Sequence, residues 1–207
     1  MLVGVGGSGK RSLAKLCGFI CGMKIFQIQL KKNYSEQSFI DDIKRLYLAE
    51  LVNEKTMFLF SDAQIIEEGF LEIVNTMLTV GVVNSLFDDN TKMSLRNEMA
   101  EKCRKAKRGE TPDEIWNFVT DIFRNNLHIV LCMSPAGETL RIRCRNFPGL
   151  VSNTTIDWFF PWPSKALTMV AEVQLSNANF EPEILEKIIP HFVKVHESIP
   201  DYASKYE

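Results

Sequence analysis

The sequence has no apolar run approaching the roughly 18 residues that a membrane-spanning helix requires. Its first ten residues hold four glycines, where a secretory leader would need an unbroken apolar stretch. An excess of one charge is also missing. The 24 basic and 26 acidic side chains leave a formal net charge of -2, without the basic footprint that phosphate-backbone binding leaves. Nucleic acid and membrane are therefore not expected as partners, and the chain reads as cytosolic. Cysteine is sparse and odd in number: Cys17, Cys21, Cys103, Cys132 and Cys144 have no framework spacing, which points to reduced thiols. Histidine is scarcer still, and His128, His191 and His196 form no H-E-x-x-H pattern. No metal site is expected, since Cys17 and Cys21 share a helix face but have no second ligand pair nearby. There is no internal repeat and no low-complexity segment.

What remains is ordinary globular composition, 45% hydrophobic and 24% charged over 207 residues. That length suits one α/β domain, alone or with a small attachment. Apolar runs and helical periodicities alternate. Leu2-Val3 ends a strand, and a glycine-rich turn leads into a helix from Lys10 to Phe19. Lys24–Leu30 reads as a strand, and Ser35–Val52 as a helix with Phe39, Ile43, Leu46 and Leu51 inward. Met57–Phe60 is a short apolar run typical of a central parallel strand, and Glu68–Leu78 and Met93–Lys107 read as helices. Thr111, Pro112 and Glu114 form a capping box with proline at the first helical position. That helix runs to Arg124 and feeds a strand at His128–Met133. Strands alternating with helices predict a parallel sheet sandwiched by helices. After Phe147-Pro148 a strand at Thr155–Phe159 meets the proline-rich Phe160–Pro163. Helices over Ser164–Gln174 and Glu181–His196 follow, with Pro190 expected to interrupt the second. The predicted division is a large α/β subdomain over 1–160 and part of a small helical subdomain over 161–207. Both ends look clipped, so the chain reads as a piece of something longer. Trp158 and Trp162 are expected to pack in the core at the junction.

Gly4-Val5-Gly6-Gly7-Ser8-Gly9-Lys10 matches G-x-x-x-x-G-K. Its glycines allow backbone N–H groups to curl around phosphates, and the helix behind them offers its positive end. Lys10 is expected to reach the β- and γ-phosphates. The next position in the full motif is Ser or Thr, which holds Mg²⁺; here it is Arg11. Ser12 comes one residue late, and a helix turns about 100° per residue, so its hydroxyl points elsewhere. The phosphate cradle is intact while the metal contact is altered. A second expected element is an apolar strand ending in Asp-Glu, which orients Mg²⁺ and activates water. In this chain Ser61-Asp62 follows the strand.

The runs FLFSDAQIIEEGFLEIVNTML, GVVNSLF, NLHIVLCMSP, LRIRCRNFPGL and TIDWFFPWP occur in the order found in dynein heavy chains. Together with GVGGSGK and a following residue other than Ser or Thr, they resemble the fourth AAA+ module of axonemal dyneins over about residues 1–175.

The resemblance implies a P-loop AAA+ fold and places roles residue by residue. The nucleotide loop would be Gly4, Val5, Gly6, Gly7, Ser8, Gly9 and Lys10, with Arg11 and Ser12 beside it. Ser61 would stand where the metal-orienting Asp stands, and Asp62, a degenerate catalytic residue, where the catalytic Glu stands. Ser134 would be the sensor of the γ-phosphate. Asn153 would fill the arginine-finger slot, with Arg143 and Arg145 near it. The Gly-Glu-x-Pro turn of the family would be Gly81-Val82-Val83-Asn84.

Taken together, these readings make the chain a regulatory module of a microtubule motor that binds ATP or ADP and hydrolyses poorly, with Mg²⁺ possible but its usual ligands altered. Implied partners are neighbouring AAA+ modules and, through the whole motor, intermediate and light chains and microtubules. The small subdomain would lead toward the stalk, and the implied location is the cytoskeleton of a cilium or flagellum. The alternatives are a catalytically active P-loop NTPase, for which no N-K-x-D pattern or arginine-rich lid is present, and a structural ring segment with an empty site.

Overall fold

The computed structural model describes residues 1–176, 178, 180–203 and 205. They fall into two units, Met1–Phe159 and Phe160–Glu207. The first is built on a parallel sheet of β1 (Leu2–Gly4), β2 (Lys24–Phe26), β3 (Thr56–Ser61), β4 (Leu127–Met133) and β5 (Asp157–Phe159). Its order is β2-β3-β4-β1-β5. Parallel strands need both faces covered, and β3 shows why its sequence is apolar throughout: all of its residues are buried. Phe58 and Phe60 enter the larger core, while Met57 and Leu59 enter a smaller cluster with Ala14 and Cys132.

The smaller face is covered by α1 (Lys10–Ile20), which contributes Ala14. On the other face lie α2 (Glu36–Arg45), α3 (Gly69–Val80), α4 (Asp89–Lys105) and α5 (Pro112–Asn126), whose buried residues all join the larger core. Phe39 of α2 stacks on Phe70 of α3 with ring centroids 4.4 Å apart. Each fully buried side chain of this size contributes roughly 1.5–3 kcal/mol. The Thr111–Glu114 capping box is present at the start of α5. The short helices α6 (Thr139–Asn146) and α7 (Gly149–Ser152) link β4 to β5.

The second unit contains α8 (Ser164–Leu175) and α9 (Pro182–Ala203). These helices lie side by side, and a cavity of about 340 Å³ along them is lined by Leu167, Val170 and Ala171 of α8 and Phe192 and Val193 of α9.

Several expectations are corrected. The second strand ends at Phe26, not Leu30: Ile28 is buried, but its carbonyl accepts the Gln64 side chain instead of a ladder bond. The long helix after Ser35 changes to a π-helix over Leu46–Leu51. This wider turn buries Leu46, Tyr47 and Leu51 together, and the Tyr47 hydroxyl donates to the Gly81 carbonyl at 2.9 Å. Pro190 does not interrupt the last helix. α9 runs through it, losing only the hydrogen bond that the missing N–H would make, with the ring exposed. Trp158 is 59% exposed because β5 is the last strand of the sheet, and Trp162 is 38% exposed. Neither is core.

Candidate functional site

Parallel strands deliver their carboxyl ends to one edge of a sheet, where a crevice opens when chain connections diverge to opposite sides. Such a point exists here, because β1 lies between β4 and β5 while β2 and β3 lie beyond β4. Across the ladder Leu2 is level with Cys132, and Cys132 with Ser61. Residues just past this line leave the sheet together. They are the loop after β1, Asp62 after β3, and Ser134 after β4.

A cavity of about 310 Å³ occupies this edge. It is lined by Gly6–Ser12 of the loop and first turn of α1, together with Ser61, Asp62, Ala63, Cys132 and Ser134. Of the residues singled out from the sequence, Gly4 and Val5 lie behind the lining. Gly4 closes the end of β1 on its neighbour: a Cβ there would lie 2.7 Å from the Phe159 Cβ and 2.8 Å from its carbonyl oxygen. Gly9 is the N-cap of α1 with φ 87, a left-handed conformation that suits glycine. Around Gly6 and Gly7 nothing lies within 4 Å of an added Cβ.

The helix start is unusual. α1 has no side-chain cap and no acidic residue in its first turn. Its first intrahelical bond is Leu13 N–H to the Gly9 carbonyl, so the amides of Lys10, Arg11 and Ser12 precede the ladder. The Lys10 ammonium is held inside the loop, donating to the carbonyls of Gly4 at 2.5 Å and Val5 at 2.8 Å and to Ser8 Oγ at 3.2 Å. Arg11 lines the same cavity, and among the described residues no carboxylate pairs with it. Cys132 at the floor has its thiol pushed up by burial, partly offset by the positive charges of Lys10 and Arg11.

The polar groups opposite are already engaged. Asp62 Oδ1 accepts the Ala63 N–H at 2.8 Å and Oδ2 accepts the Ser134 N–H at 2.9 Å. Ser61 is buried, and both its N–H and its hydroxyl donate to Gln64 Oε1, at 2.9 and 3.0 Å. Gln64 Nε2 in turn donates to the Ile28 carbonyl at 2.6 Å. Gln64 was not among the residues singled out from the sequence. Its signal was the S-x-x-Q spacing of a capping box, here closing a short 3₁₀ turn over Asp62–Gln64. Ser134 Oγ accepts the Ala136 N–H at 3.3 Å.

The outlying residues are not brought to this cavity. Asn153 Nδ2 donates to the Leu78 carbonyl at the end of α3. Arg143 is mostly buried and pairs with Glu68 at 3.1 Å. It faces a neighbouring cavity of about 400 Å³ that shares Asp62, Ala63 and Ser134 with the first.

Comparison with known proteins identifies the family. A family model described as P-loop containing dynein motor region D4 matches residues 1–207. The chain is 47% identical over 207 residues to the dynein-1-alpha heavy chain of the flagellar inner arm I1 complex of Chlamydomonas reinhardtii, matching 100% of this chain and 4% of that protein. It is 46% identical over 208 residues to human dynein axonemal heavy chain 10, matching 100% of this chain and 5% of that protein. Mouse dynein axonemal heavy chain 2 is 41% identical over 208 residues, 99% of this chain and 5% of that protein. The chain thus spans about a twentieth of the length of the relatives it matches.

Proposed function

The chain belongs to the P-loop-containing dynein motor region D4 family, and from that premise we propose that it is a regulatory module of an axonemal microtubule motor, one that holds ATP or ADP and hydrolyses it poorly. The binding half of this reading rests on the loop. Uncapped amides at the start of α1, the left-handed Gly9 and the Lys10 ammonium converge on one cavity. Helix termini of this kind bind anions because their amides and dipole point the same way. To meet a phosphate, Lys10 exchanges its bonds to the Gly4 and Val5 carbonyls for charge-assisted ones, which are roughly twice as strong as neutral ones.

The observation that carries the hydrolytic half is the pair of engaged groups beside the loop. A water-activating acid needs an oxygen aimed at water, and backbone N–H groups fix the orientation of both Asp62 oxygens, leaving water only their second lone pairs. The Ser61 hydroxyl is committed to Gln64. Positioning supplies most of the catalysis in phosphoryl transfer, so groups held elsewhere cost orders of magnitude in rate.

On this reading the first unit is the large subdomain, and α8 and α9 belong to a small helical subdomain that leads toward a stalk. Neighbouring AAA+ modules of the same heavy chain are the direct partners. Microtubules and the intermediate and light chains are reached through the whole motor, in the axoneme. The test is the nucleotide content of the purified heavy chain. Lys10→Ala is expected to lower it by about one equivalent, because the loop lysine carries much of the phosphate affinity. Unchanged content would remove the nucleotide assignment.

A further inference from the structure

Mg²⁺ is the usual companion of a nucleotide in this kind of loop, held by the Ser or Thr after the lysine and by an Asp at the end of the facing strand. The residues present do not fit it. The first ligand position is Arg11, whose guanidinium repels a divalent cation and has no lone pair to offer. The second is Ser61, which offers a neutral hydroxyl where a carboxylate's negative charge is usual, and that hydroxyl is turned toward Gln64 Oε1. The remaining acid, Asp62, is spanned by the amides of Ala63 and Ser134. Among the described residues no three His, Cys, Asp or Glu side chains converge where they could hold a metal ion.

The same cavity sets two cations, Lys10 and Arg11, against a single acid, Asp62. Helix first turns favour acids and disfavour cations, because the dipole's positive end lies there. α1 does the opposite, opening on Lys10 and Arg11 with no acid in its first turn. No carboxylate among the described residues neutralises either one. Both residues line the cavity, Lys10 with its ammonium held inside the loop and Arg11 exposed beside it. An arrangement this unfavourable on its own is compensated when a polyanion lies against it.

We infer that Arg11 takes the place of the metal ion, so that this site binds a nucleoside di- or triphosphate without Mg²⁺. The inference rests on the proposed nucleotide binding and deepens it. Arg11 supplies a permanent positive charge and a planar set of donors suited to phosphate oxygens. The charge is delivered by the chain itself, so affinity no longer depends on the cation concentration.

The test is photolabelling of the full heavy chain with 8-azido-ADP, in Mg²⁺ or in EDTA, with labelled peptides mapped by mass spectrometry and only those within residues 1–207 counted. The half-saturating concentration is expected to be the same in both conditions to within about threefold. Arg11→Ala should raise it by about tenfold or more in EDTA, whereas Arg11→Lys, which keeps the charge, should recover most of the loss. Wild-type labelling that weakens tenfold or more in EDTA would overturn the inference, and so would an Arg11→Ala chain that labels unchanged. The wild-type comparison stands by itself if a variant fails to fold. Labelling absent in both conditions would instead remove the nucleotide binding on which the inference rests.

Discussion

The Asp62 carboxylate accepts the Ser134 N–H at 2.9 Å, tying the carboxyl end of β3 to that of β4 across 72 residues of sequence. The two residues proposed here as degenerate water activator and phosphate sensor are therefore bonded to each other. Movement of either strand end changes the position of both. The residue that would act on a nucleotide is also the clasp that shapes the cavity.

Removing that clasp has a measurable cost. Asp62→Ala leaves the amides of Ala63 and Ser134 without their acceptor. Hydrogen bonds to a charged group contribute about 1.5–3 kcal/mol when buried, and Asp62 is only half-buried. The expected loss is therefore about 1–2 kcal/mol in denaturant unfolding. Asp62→Asn keeps one carbonyl acceptor and should lose about half of that. A purely exposed, catalytic Asp62 would show no change in either variant.

Restoring hydrolysis is expected to need several changes at once. The combination Arg11→Thr, Ser61→Asp and Asp62→Glu should raise single-turnover ATP cleavage, in a motor whose other sites are disabled. Each single change should do little, because catalytic groups that act as a unit are non-additive. Ser61→Asp alone also turns a buried donor into an acceptor facing Gln64 Oε1. It should lower stability by roughly 1–3 kcal/mol. Turnover of about 1 s⁻¹ or more in the unmodified module would contradict impaired hydrolysis.

Two glycines of the loop should respond differently to the same substitution. Gly4→Ala drives a methyl to within 2.7 Å of the Phe159 Cβ. Overpacking of this kind costs about 1–3 kcal/mol. Gly6→Ala meets nothing within 4 Å and should change stability by no more than about 0.5 kcal/mol. Equal effects in thermal unfolding would show that the close approach between β1 and β5 is not what Gly4 provides.

Tyr47 predicts how stability falls in alkali. Burial raises its phenol above the ordinary value of 10.0, while it donates to the Gly81 carbonyl. Above pH 10 the unfolded chain therefore loses a proton that the folded chain keeps, and stability declines as pH rises. Below pH 10 both states hold the proton and the slope vanishes. Tyr47→Phe should flatten the alkaline limb of a stability–pH profile. At neutral pH it should cost about 1 kcal/mol, the net worth of the lost hydrogen bond. Tyr34 keeps part of the slope, since burial and its bond to Asp42 raise it as well.

Much of this architecture was legible in single residues and their near neighbours. The spacing of Gly4, Gly9 and Lys10 sufficed for a turn into a helix. Thr111-Pro112 with Glu114 sufficed for the start of α5, and the unbroken apolar run of β3 for a strand covered on both faces. Each depends on contacts within about four residues, where backbone geometry leaves few choices. The same locality explains the misreadings. Pro190 breaks a helix by local rules, yet α9 continues through it alongside α8. Trp158 looked like core because it is large and apolar, but only strand order reveals that β5 lies at an edge.

The sequence by itself determined the phosphate loop, its lysine and the arginine where a metal ligand is usual, because those features are set by residue type and spacing along one short segment. Only the tertiary structure decided that Asp62 reaches the Ser134 amide, that Gln64 is tied to the Ile28 carbonyl, and that Arg143 is paired with Glu68. Those partners are chosen by the order of parallel strands, and that order is set by burying both faces of the sheet. Residues far apart in the chain meet at one edge as a consequence, and no local pattern encodes which of them will meet.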